Sequence, residues 1–550
     1  YLSYCFNYNY YLKCKLIFWL AEYKMNLEIY DATLREGEQA GGVSFSIGDR
    51  IAIAEELDEL GVDYIELGWP INEDVKKAFW EVEKLNLNSK VVAFGSTSLS
   101  GNVEEDINLK SIVDSKTKYA CIFGKTWGEH IEKQLKISKE ENLKKIEESV
   151  KFLKDKEIEV FYDAEHYFDG FKSDKEYAIE TLKSALVGGA TRLILCDTNG
   201  GSLPDEVKEI TKFTKEELEK YFPDVDLGIH THNDSGLALA NTIEVLDYVK
   251  QVQGTMNGLG ERVGNLDLCE FIPLVIFKKG YDLDVDLEKL KGVSDLVYEV
   301  ANLPKQIGQA FVSDRAFTHK GGVHIDANIK GASYNHVTPE RLGLNHSLML
   351  SSLGGAACVV SAAKNLGYDL DKKDEKIREK INNVLKELGE LEKEGYDLGN
   401  IEAEQYILIE KHFNKYENYF KILEWNIETS GKKSKCVLKI KVEDEVIETN
   451  NEIEGGPVDV LFKTLVEVLA KKYIEITKLK LINYSVRIAK SRGVESVVRT
   501  RMGFLDGAEF SCVGVDENII QSSIEALEKG FNYYLNIKNR ERNLNENSEI

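Results

Sequence analysis

The sequence has little proline and cysteine and lacks a long apolar run. Its 550 residues include 7 Pro, and none of its hydrophobic stretches is long enough to cross a bilayer. These absences exclude a collagen, a largely disordered chain and an integral membrane protein. The 8 Cys are scattered without a CxxC pair, which is typical of a reducing cytosol. We therefore expect a cytoplasmic protein with neither a disulfide framework nor a zinc ribbon.

Positive charge is also scarce. Lys and Arg number 70 against 94 Asp and Glu, and the formal net charge is -24. Nucleic acids and anionic membranes are bound by clustered Lys and Arg, so neither is expected as a partner. An anionic substrate must therefore be held by local chemistry and not by the overall field.

Between residues 25 and 285, short β-rich runs recur, each followed by an amphipathic or charged stretch. The eight runs begin near Leu27, Asp63, Lys90, Tyr119, Ile158, Arg192, Asp226 and Lys250. Such spacing suits one strand, one crossover helix and two loops, and eight such units predict a (β/α)8 TIM barrel. An open doubly wound sheet is the alternative, because periodicity alone does not count strands.

Unusual polar residues at the ends of these runs favour the barrel. They are Arg35, Glu36, Glu66, Asp163, Glu165, Asp197, Thr198, His230, His232 and Asn265. In a barrel all carboxyl ends meet at one mouth, whereas an open sheet would spread them along an edge.

The rest of the chain divides by pattern into four further segments. Residues 1–24, rich in Tyr and Asn, read as an upstream or non-native segment before Met25. Residues 286–415 are predicted to form a helical linker region, which includes a polar loop from His319 to Asp326. Residues 416–536 predict an α+β domain built from two βββα halves, with helices opening near Pro457 and near Asp516, whose carboxylate suits an N-cap. Residues 537–550 predict a disordered tail.

The strand Gly228-Ile-His-Thr-His-Asn-Asp234 predicts a metal site. Residues two apart on a strand face the same side, so His230 and His232 both point into the barrel mouth. Glu36 is the natural third ligand, and Asn265 could supply an oxygen. Two nitrogens and a carboxylate predict a divalent cation, here Mg, Mn or Zn, with positions left for a chelating 2-oxo acid.

Two further side chains suit that substrate. Arg35 could bind its carboxylate or stabilise charge on its keto oxygen, although it could instead pair structurally with Glu66 or Asp31. Thr198 is a candidate hydrogen-bond donor to the substrate carboxylate. The loop from Gly258 to Asn265 lacks the spacing of a dinucleotide fingerprint, so its glycines are expected to let the backbone turn tightly beside the metal.

Four ordered motifs together resemble the isopropylmalate, homocitrate and citramalate synthases. They are Asp31-Ala-Thr-Leu-Arg-Glu-Gly-Glu-Gln39, His230-Thr-His-Asn-Asp234, Gly258 to Asn265, and His319 to Asp326. Within that family, Phe123-Gly-Lys-Thr-Trp127, Tyr162 to Gly170 and Cys196 to Pro204 are most similar to the long-form citramalate synthases. Glu36 stands where that pattern usually has Asp, as in homocitrate synthases, and it is one methylene longer but chemically able to bind a metal.

The resemblance implies a metal-dependent acyltransferase that condenses acetyl-CoA with pyruvate to citramalate in isoleucine biosynthesis. It further implies that Arg35 stabilises an oxyanion, that Glu36, His230 and His232 bind the metal, and that Thr198 holds substrate. Glu165 and His324 become candidates for proton transfer, with Tyr334 as an aid. A homodimer and feedback by isoleucine through the C-terminal domain are also implied.

Other functions stay open at the level of sequence. Homocitrate or 2-isopropylmalate synthesis would use another 2-oxo acid on the same metal. An aldol-type lyase and a non-haem iron oxygenase could use the same ligands. A catalytically silent amino-acid sensor could keep the fold alone.

Overall fold

The protein is described here by a computed structural model. It describes residues 27–100, 102–319, 327, 334–344, 347–348, 350–371, 373–399, 401–413, 416–490 and 496–548, so the predicted upstream segment 1–24 lies outside the described residues. The chain forms two compact units, Tyr1–Ala316 with Val337–Asn345 and Phe317–His336 with His346–Ile550.

The first unit is a closed barrel of eight parallel strands in sequence order, which confirms the predicted (β/α)8 fold and excludes the open sheet. The strands are β1 Glu28–Asp31, β2 Tyr64–Gly68, β3 Lys90–Ser96, β4 Tyr119–Lys125, β5 Glu159–Glu165, β6 Arg192–Asp197, β7 Leu227–Thr231 and β8 Gln251–Gly254. Strand β8 closes the barrel by pairing with β1. Each strand begins within one residue of its predicted start, because a fully buried parallel strand is an apolar run with distinct limits.

Helices alternate with these strands. They are α1 Ile47–Leu60, α2 Glu73–Val82, α3 Ile107–Asp114, α4 Lys139–Asp155, α5 Tyr167–Ser173, α6 Lys175–Gly188, α7 Pro204–Glu219, α8 Ala238–Glu244, α9 Leu268–Leu274 and α10 Leu290–Val300. A helical turn, Gly128–His130, leads into a π-helical segment, Ile131–Leu135.

Side chains define where the helices begin. At α1, Ser46 Oγ accepts from the Asp49 N–H at 3.2 Å and the Ser46 N–H donates to Asp49 Oδ2 at 2.8 Å, which forms a capping box. Ser138 and Glu141 repeat this arrangement at α4. Such caps fix the end of each loop, and the loops between strand and cap form the mouth of the barrel.

The second unit contains helices, one two-stranded sheet and two three-stranded sheets. Strands β9 Thr318–His319 and β10 Ser347–Leu348 pair in parallel. The helices α11 Gly355–Asn365, α12 Glu375–Glu394 and α13 Glu402–Phe413 come before the three-stranded sheets. One antiparallel sheet contains β11 Phe420–Ser430, β12 Lys433–Val442 and β13 Glu445–Glu454, followed by α14 Pro457–Leu469. The other contains β14 Lys480–Lys490, β15 Val497–Asp506 and β16 Ala508–Asp516, followed by α15 Ile519–Ser548.

This order confirms the two predicted βββα halves. On β12, Leu438, Ile440 and Val442 are buried in the core, whereas Val437 is 42% exposed. The second helix begins differently from the prediction, since Asn518 caps it instead of Asp516. Asn518 Oδ1 accepts from the Ile520 N–H at 2.8 Å, while Asp516 accepts from Asn518 itself.

The prediction of a disordered tail over 537–550 is wrong for the residues up to Ser548, which continue α15. Extending an anchored helix costs little, because each added residue also adds a backbone hydrogen bond. Side chains support the extension: Arg540 donates to the Leu366 carbonyl at 2.9 Å, and Arg542 pairs with Glu475 at 3.1 Å. Residues 549–550 lie outside the described part.

No helix in the described part of the chain has both the length and the apolar character required for a bilayer span. The six cysteines that the structure describes are free and buried.

An ion-pair network closes the amino-terminal end of the barrel. The Arg192 side chain, 5% exposed, pairs with Glu28 and lies 3.5 Å from Asp226, which also pairs with Lys250 at 2.9 Å. We predict that Arg192→Met destabilises the fold by about 2–3 kcal/mol, because the half-buried Glu28 would keep only Lys250, 4.0 Å away, as a cation partner. The matched Lys250→Met removes a more exposed cation and should cost at most about 1 kcal/mol. Urea denaturation followed by circular dichroism measures both, and equal midpoints would contradict the prediction.

Candidate active site

The closed barrel carries the predicted polar residues at its carboxyl end. Arg35 and Glu36 follow β1, Glu66 lies in β2, Asp163 and Glu165 end β5, Asp197 ends β6 and Thr198 follows it, His230 lies in β7, and His232 comes just after β7. Asn265 forms an isolated antiparallel bridge with His232. The barrel therefore gathers side chains that are up to 230 positions apart in sequence.

The two histidines form a buried imidazole pair. His230 is 4% exposed and His232 is 6% exposed, and their ring centroids are 5.1 Å apart. Burial, with a contribution from His230, lowers the pKa of His232 to about 3. The His232 ring is therefore neutral near pH 7 and keeps a lone pair, which is the form that binds a metal.

Glu36 is a buried carboxylate beside this pair. Burial alone would raise its pKa, but Arg35, then His230 and His232, and a hydrogen bond with Asn265 together hold the pKa of Glu36 below its ordinary value. Glu36 is therefore ionised, and it faces two imidazoles and a guanidinium.

The donor atoms at the mouth fit a divalent cation. His232 Nδ1 and Asn265 Oδ1 are buried and have no hydrogen-bond partner within the described structure. An imidazole nitrogen, a carboxylate and an amide oxygen are ordinary ligands of Mg²⁺, Mn²⁺ or Zn²⁺. Unpartnered buried polar atoms are costly, and a bound ion would satisfy them.

The predicted metal ligands lie together at the mouth of the barrel, but they do not surround a single position. Among the residues that the structure describes, no three His, Cys, Asp or Glu side chains form a complete metal-binding group. One carboxylate oxygen of Glu36 pairs with Arg35. The side chains that would hold a cation are thus Glu36, His230 and His232 with the Asn265 amide.

Carboxylates flank Arg35. Its Nε donates to Glu66 Oε2 at 2.5 Å, and its Nη1 pairs with Glu36. Its guanidinium carbon lies 3.7 Å from the centre of the Phe94 ring. The sequence offered two structural partners for Arg35, Glu66 and Asp31. The structure contains the pair with Glu66, whereas Asp31 accepts hydrogen bonds from the backbone N–H and the hydroxyl of Thr33.

Glu165 and Thr198 lie on neighbouring parts of the rim, at the end of β5 and just after β6. Glu165 pairs with Lys125 Nζ at 2.5 Å. Thr198 Oγ1 accepts the backbone N–H of His166 at 2.8 Å, so its own hydroxyl hydrogen is directed elsewhere. That hydrogen can therefore be donated to a ligand, and the binding role of Thr198 stays a prediction.

Several residues at the mouth escaped the sequence analysis. Lys125 ends β4, His130 lies in the helical turn after β4, and His166 follows β5, with the two imidazole centroids 4.3 Å apart. Gln253 Oε1 lies 2.9 Å from His230 Nδ1. The period of two that selected the histidines also places Gln253 inward on β8, so this signal was available in the sequence.

The other two predicted catalytic residues are His324 and Tyr334. His324 lies outside the described residues. Tyr334 belongs to the second unit and is 51% exposed.

Comparison with known proteins identifies the family. An HMGL-like model matches residues 26–297, a homocitrate synthase post-HMGL domain-like model matches residues 311–393, and a LeuA allosteric (dimerisation) domain model matches residues 401–535. An (R)-citramalate synthase of Aquifex aeolicus is 40% identical, with coverage of 92% of this chain and 97% of the relative.

Two more (R)-citramalate synthases, from Sulfolobus acidocaldarius and Geobacter sulfurreducens, are each 38% identical and are covered over 97% of their length, with 93% and 92% of this chain aligned. The chain belongs to the (R)-citramalate synthase family. The resemblance predicted from the four motifs is thereby confirmed. Membership of the citramalate synthase family also accounts for the order of barrel, helical region and repeated βββα domain in one chain.

A substitution in the glycine loop can test whether Asn265 binds the metal in this member of the citramalate synthase family. Gly260 has φ +157°, and a Cβ there would lie 2.0 Å from Asn265 Nδ2. We predict that Gly260→Ala displaces Asn265 and weakens Mn²⁺ binding by about tenfold. Gly236→Ala is the matched control, because Gly236 also has a positive φ, +69°, but has open space around its Cβ position. Mn²⁺ titration measures both, and equal affinities would exclude Asn265 from the ligand set.

Proposed function

We propose that this chain is an acyltransferase that condenses acetyl-CoA with pyruvate to give (R)-citramalate and CoA, a step of isoleucine biosynthesis. The observation that carries the proposal is the relatedness to (R)-citramalate synthases over nearly the whole chain, at 40% identity. The mouth of the barrel suits the same reaction, since it combines ligands for a divalent cation, a fixed guanidinium and a carboxylate base.

Glu36, His230 and His232, with the Asn265 amide, would hold a divalent cation, here Mg²⁺, Mn²⁺ or Zn²⁺. When bound, the ion supplies Lewis-acid polarisation of the 2-oxo group. The His232 ring is neutral and the Glu36 carboxylate is charged, which is the protonation state that ligation requires.

Arg35 and Thr198 hold the 2-oxo acid. The Arg35 guanidinium stays positive and is fixed by Glu66, so it is placed in advance for the negative charge that develops on the keto oxygen. The Thr198 hydroxyl donates to the substrate carboxylate, because its oxygen already accepts from His166. Both groups are oriented before substrate arrives, which lowers the cost of reorganisation.

Glu165 acts as the base. It takes a proton from the acetyl methyl group, and the resulting enolate carbon forms a bond to C2 of pyruvate. The former keto oxygen then takes up a proton. We assign the donation of this proton to His324, with help from Tyr334. Water then adds to the thioester carbonyl, and the C–S bond breaks with CoA leaving as the thiol.

An aromatic wall favours a small 2-oxo acid. Phe94 stacks on Phe123 with ring centroids 5.6 Å apart, and the Trp69 ring meets both edge-on. Arg35 lies over Phe94, so this wall borders the proposed substrate site. An apolar wall suits the methyl group of pyruvate and offers no partner for the second carboxylate of 2-oxoglutarate.

The direct test measures free thiol with acetyl-CoA, Mn²⁺ and a panel of 2-oxo acids. We expect thiol release with pyruvate, its loss after dialysis against EDTA, and its return with Mn²⁺. Preference for 2-oxoglutarate or 2-oxoisovalerate would keep the chemistry but reassign the substrate. The absence of thiol release with any of them would refute the proposal and leave an amino-acid sensor as the better reading.

The aromatic wall gives a second prediction. Phe123→Ala should raise kcat/KM for 2-oxoisovalerate relative to pyruvate by at least about tenfold, because the added space accepts its branched side chain. Phe213→Ala is the control, since Phe213 is 36% exposed on α7, on the outside of the barrel. An unchanged ratio in Phe123→Ala would mean that another part of the site selects the substrate.

We assign catalysis to residues 25–285, linkage to residues 286–415 and regulation to residues 416–536. A match of residues 401–535 to the LeuA allosteric (dimerisation) domain supports a homodimer and allosteric control. We propose isoleucine as the effector. The six free, buried thiols support a cytoplasmic location.

The homodimer and the effector can both be tested on the full chain. Light scattering should give twice the chain mass of 62.2 kDa. Isoleucine should reduce thiol release, with valine as the matched amino acid that lacks one methylene. A monomer that is fully active, or inhibition that is equal with both amino acids, would contradict this assignment.

A further inference from the structure

Gln253 is a buried amide that uses both of its polar ends. It lies in β8 and is 1% exposed. Its Oε1 is 2.9 Å from His230 Nδ1, and its Nε2 donates to Asp163 Oδ1 at 3.3 Å. The amide thus links a proposed metal ligand on β7 to a buried carboxylate on β5.

This link determines which nitrogen of His230 carries the proton. The Asp163 carboxylate accepts the Gln253 N–H, and the Cys121 thiol donates to the same oxygen at 3.0 Å. The opposite amide orientation would place Gln253 Oε1 against the carboxylate. The amide oxygen therefore faces His230 and accepts from its Nδ1–H, which leaves Nε2 with a free lone pair.

We infer that Gln253 is the positioning residue for His230: it holds the ring in the Nδ1–H tautomer and fixes its rotation so that Nε2 points to the cation site. This inference rests on the metal-dependent function proposed above. Partners of this kind, behind a ligating histidine, orient the ring and typically contribute 10–100-fold to metal affinity.

The chain supplies a matched control in the same strand. Gln251 lies two residues earlier on β8, on the same inward side, and is fully buried. Within the described structure neither polar atom of its amide has a hydrogen-bond partner. Gln251→Met and Gln253→Met therefore make the same chemical change in neighbouring layers of the barrel, but only Gln253→Met removes a contact with His230.

The test measures Mn²⁺ affinity by titration of the full chain, with circular dichroism to verify folding. We expect the Kd for Mn²⁺ to rise by about 10–100-fold in Gln253→Met and to stay unchanged in Gln251→Met. Equal Kd values for the two Met variants would overturn the inference.

A measurement on the wild type decides the question even if Gln253→Met does not fold. The chain has 9 His, so ring-¹⁵N-labelled histidine gives a small set of signals, and the one missing from His230→Gln belongs to His230. The Nδ1–H tautomer of His230 supports the inference and the Nε2–H tautomer overturns it. If the wild type binds Mn²⁺ and releases thiol in either case, the proposed function stands independently. If it does neither, the proposed function fails and this inference fails with it.

Discussion

The active site depends on one buried negative charge, the Glu36 carboxylate. An ionised group out of water is costly unless it is paired, and Arg35 supplies that pairing in the structure. The neighbouring His232 ring adds a ligand nitrogen without adding charge, since burial keeps this ring neutral. The bond from Arg35 Nε to Glu66 keeps the guanidinium in place beside this carboxylate. Glu36 thus links the proposed cation site to the guanidinium proposed for the oxyanion.

Much of this arrangement follows from rules that the sequence exposes directly. Parallel barrel strands are buried on both faces, so each is a run of apolar residues with distinct limits. The first residues of three strands, Lys90, Tyr119 and Arg192, were therefore predicted without error. A period of two along β7 places His230 and His232 on one side. Closure of the barrel then brings them to Glu36. Each step uses local sequence and one topological assumption, which is why sequence analysis succeeded here.

Other features depend on contacts that no local pattern contains. The pairing of Arg35 with both Glu66 and Glu36 requires the relative positions of β1 and β2, so sequence could only offer alternatives. Asn518 replaces Asp516 as a helix cap because β16 extends to Asp516 itself. The charged end of α15 is helical through tertiary contacts such as Arg540 with the Leu366 carbonyl, although its composition suggests disorder. Gln253 differs from these features, because the period of two that identified the histidines also places Gln253 on the inward side of its strand.

The charge balance at the mouth explains why an acidic chain with an anionic substrate would need a metal. Arg35 is shared between two carboxylates, and Lys125 is paired with Glu165. Arg262, at the rim, is paired with Asp234 at 2.7 Å. These cations are therefore already neutralised by partners, and the net charge of -24 adds no attraction. A 2-oxo acid brings one negative charge and gains a second on its keto oxygen during the reaction, so a divalent cation supplies the positive charge that these paired side chains do not.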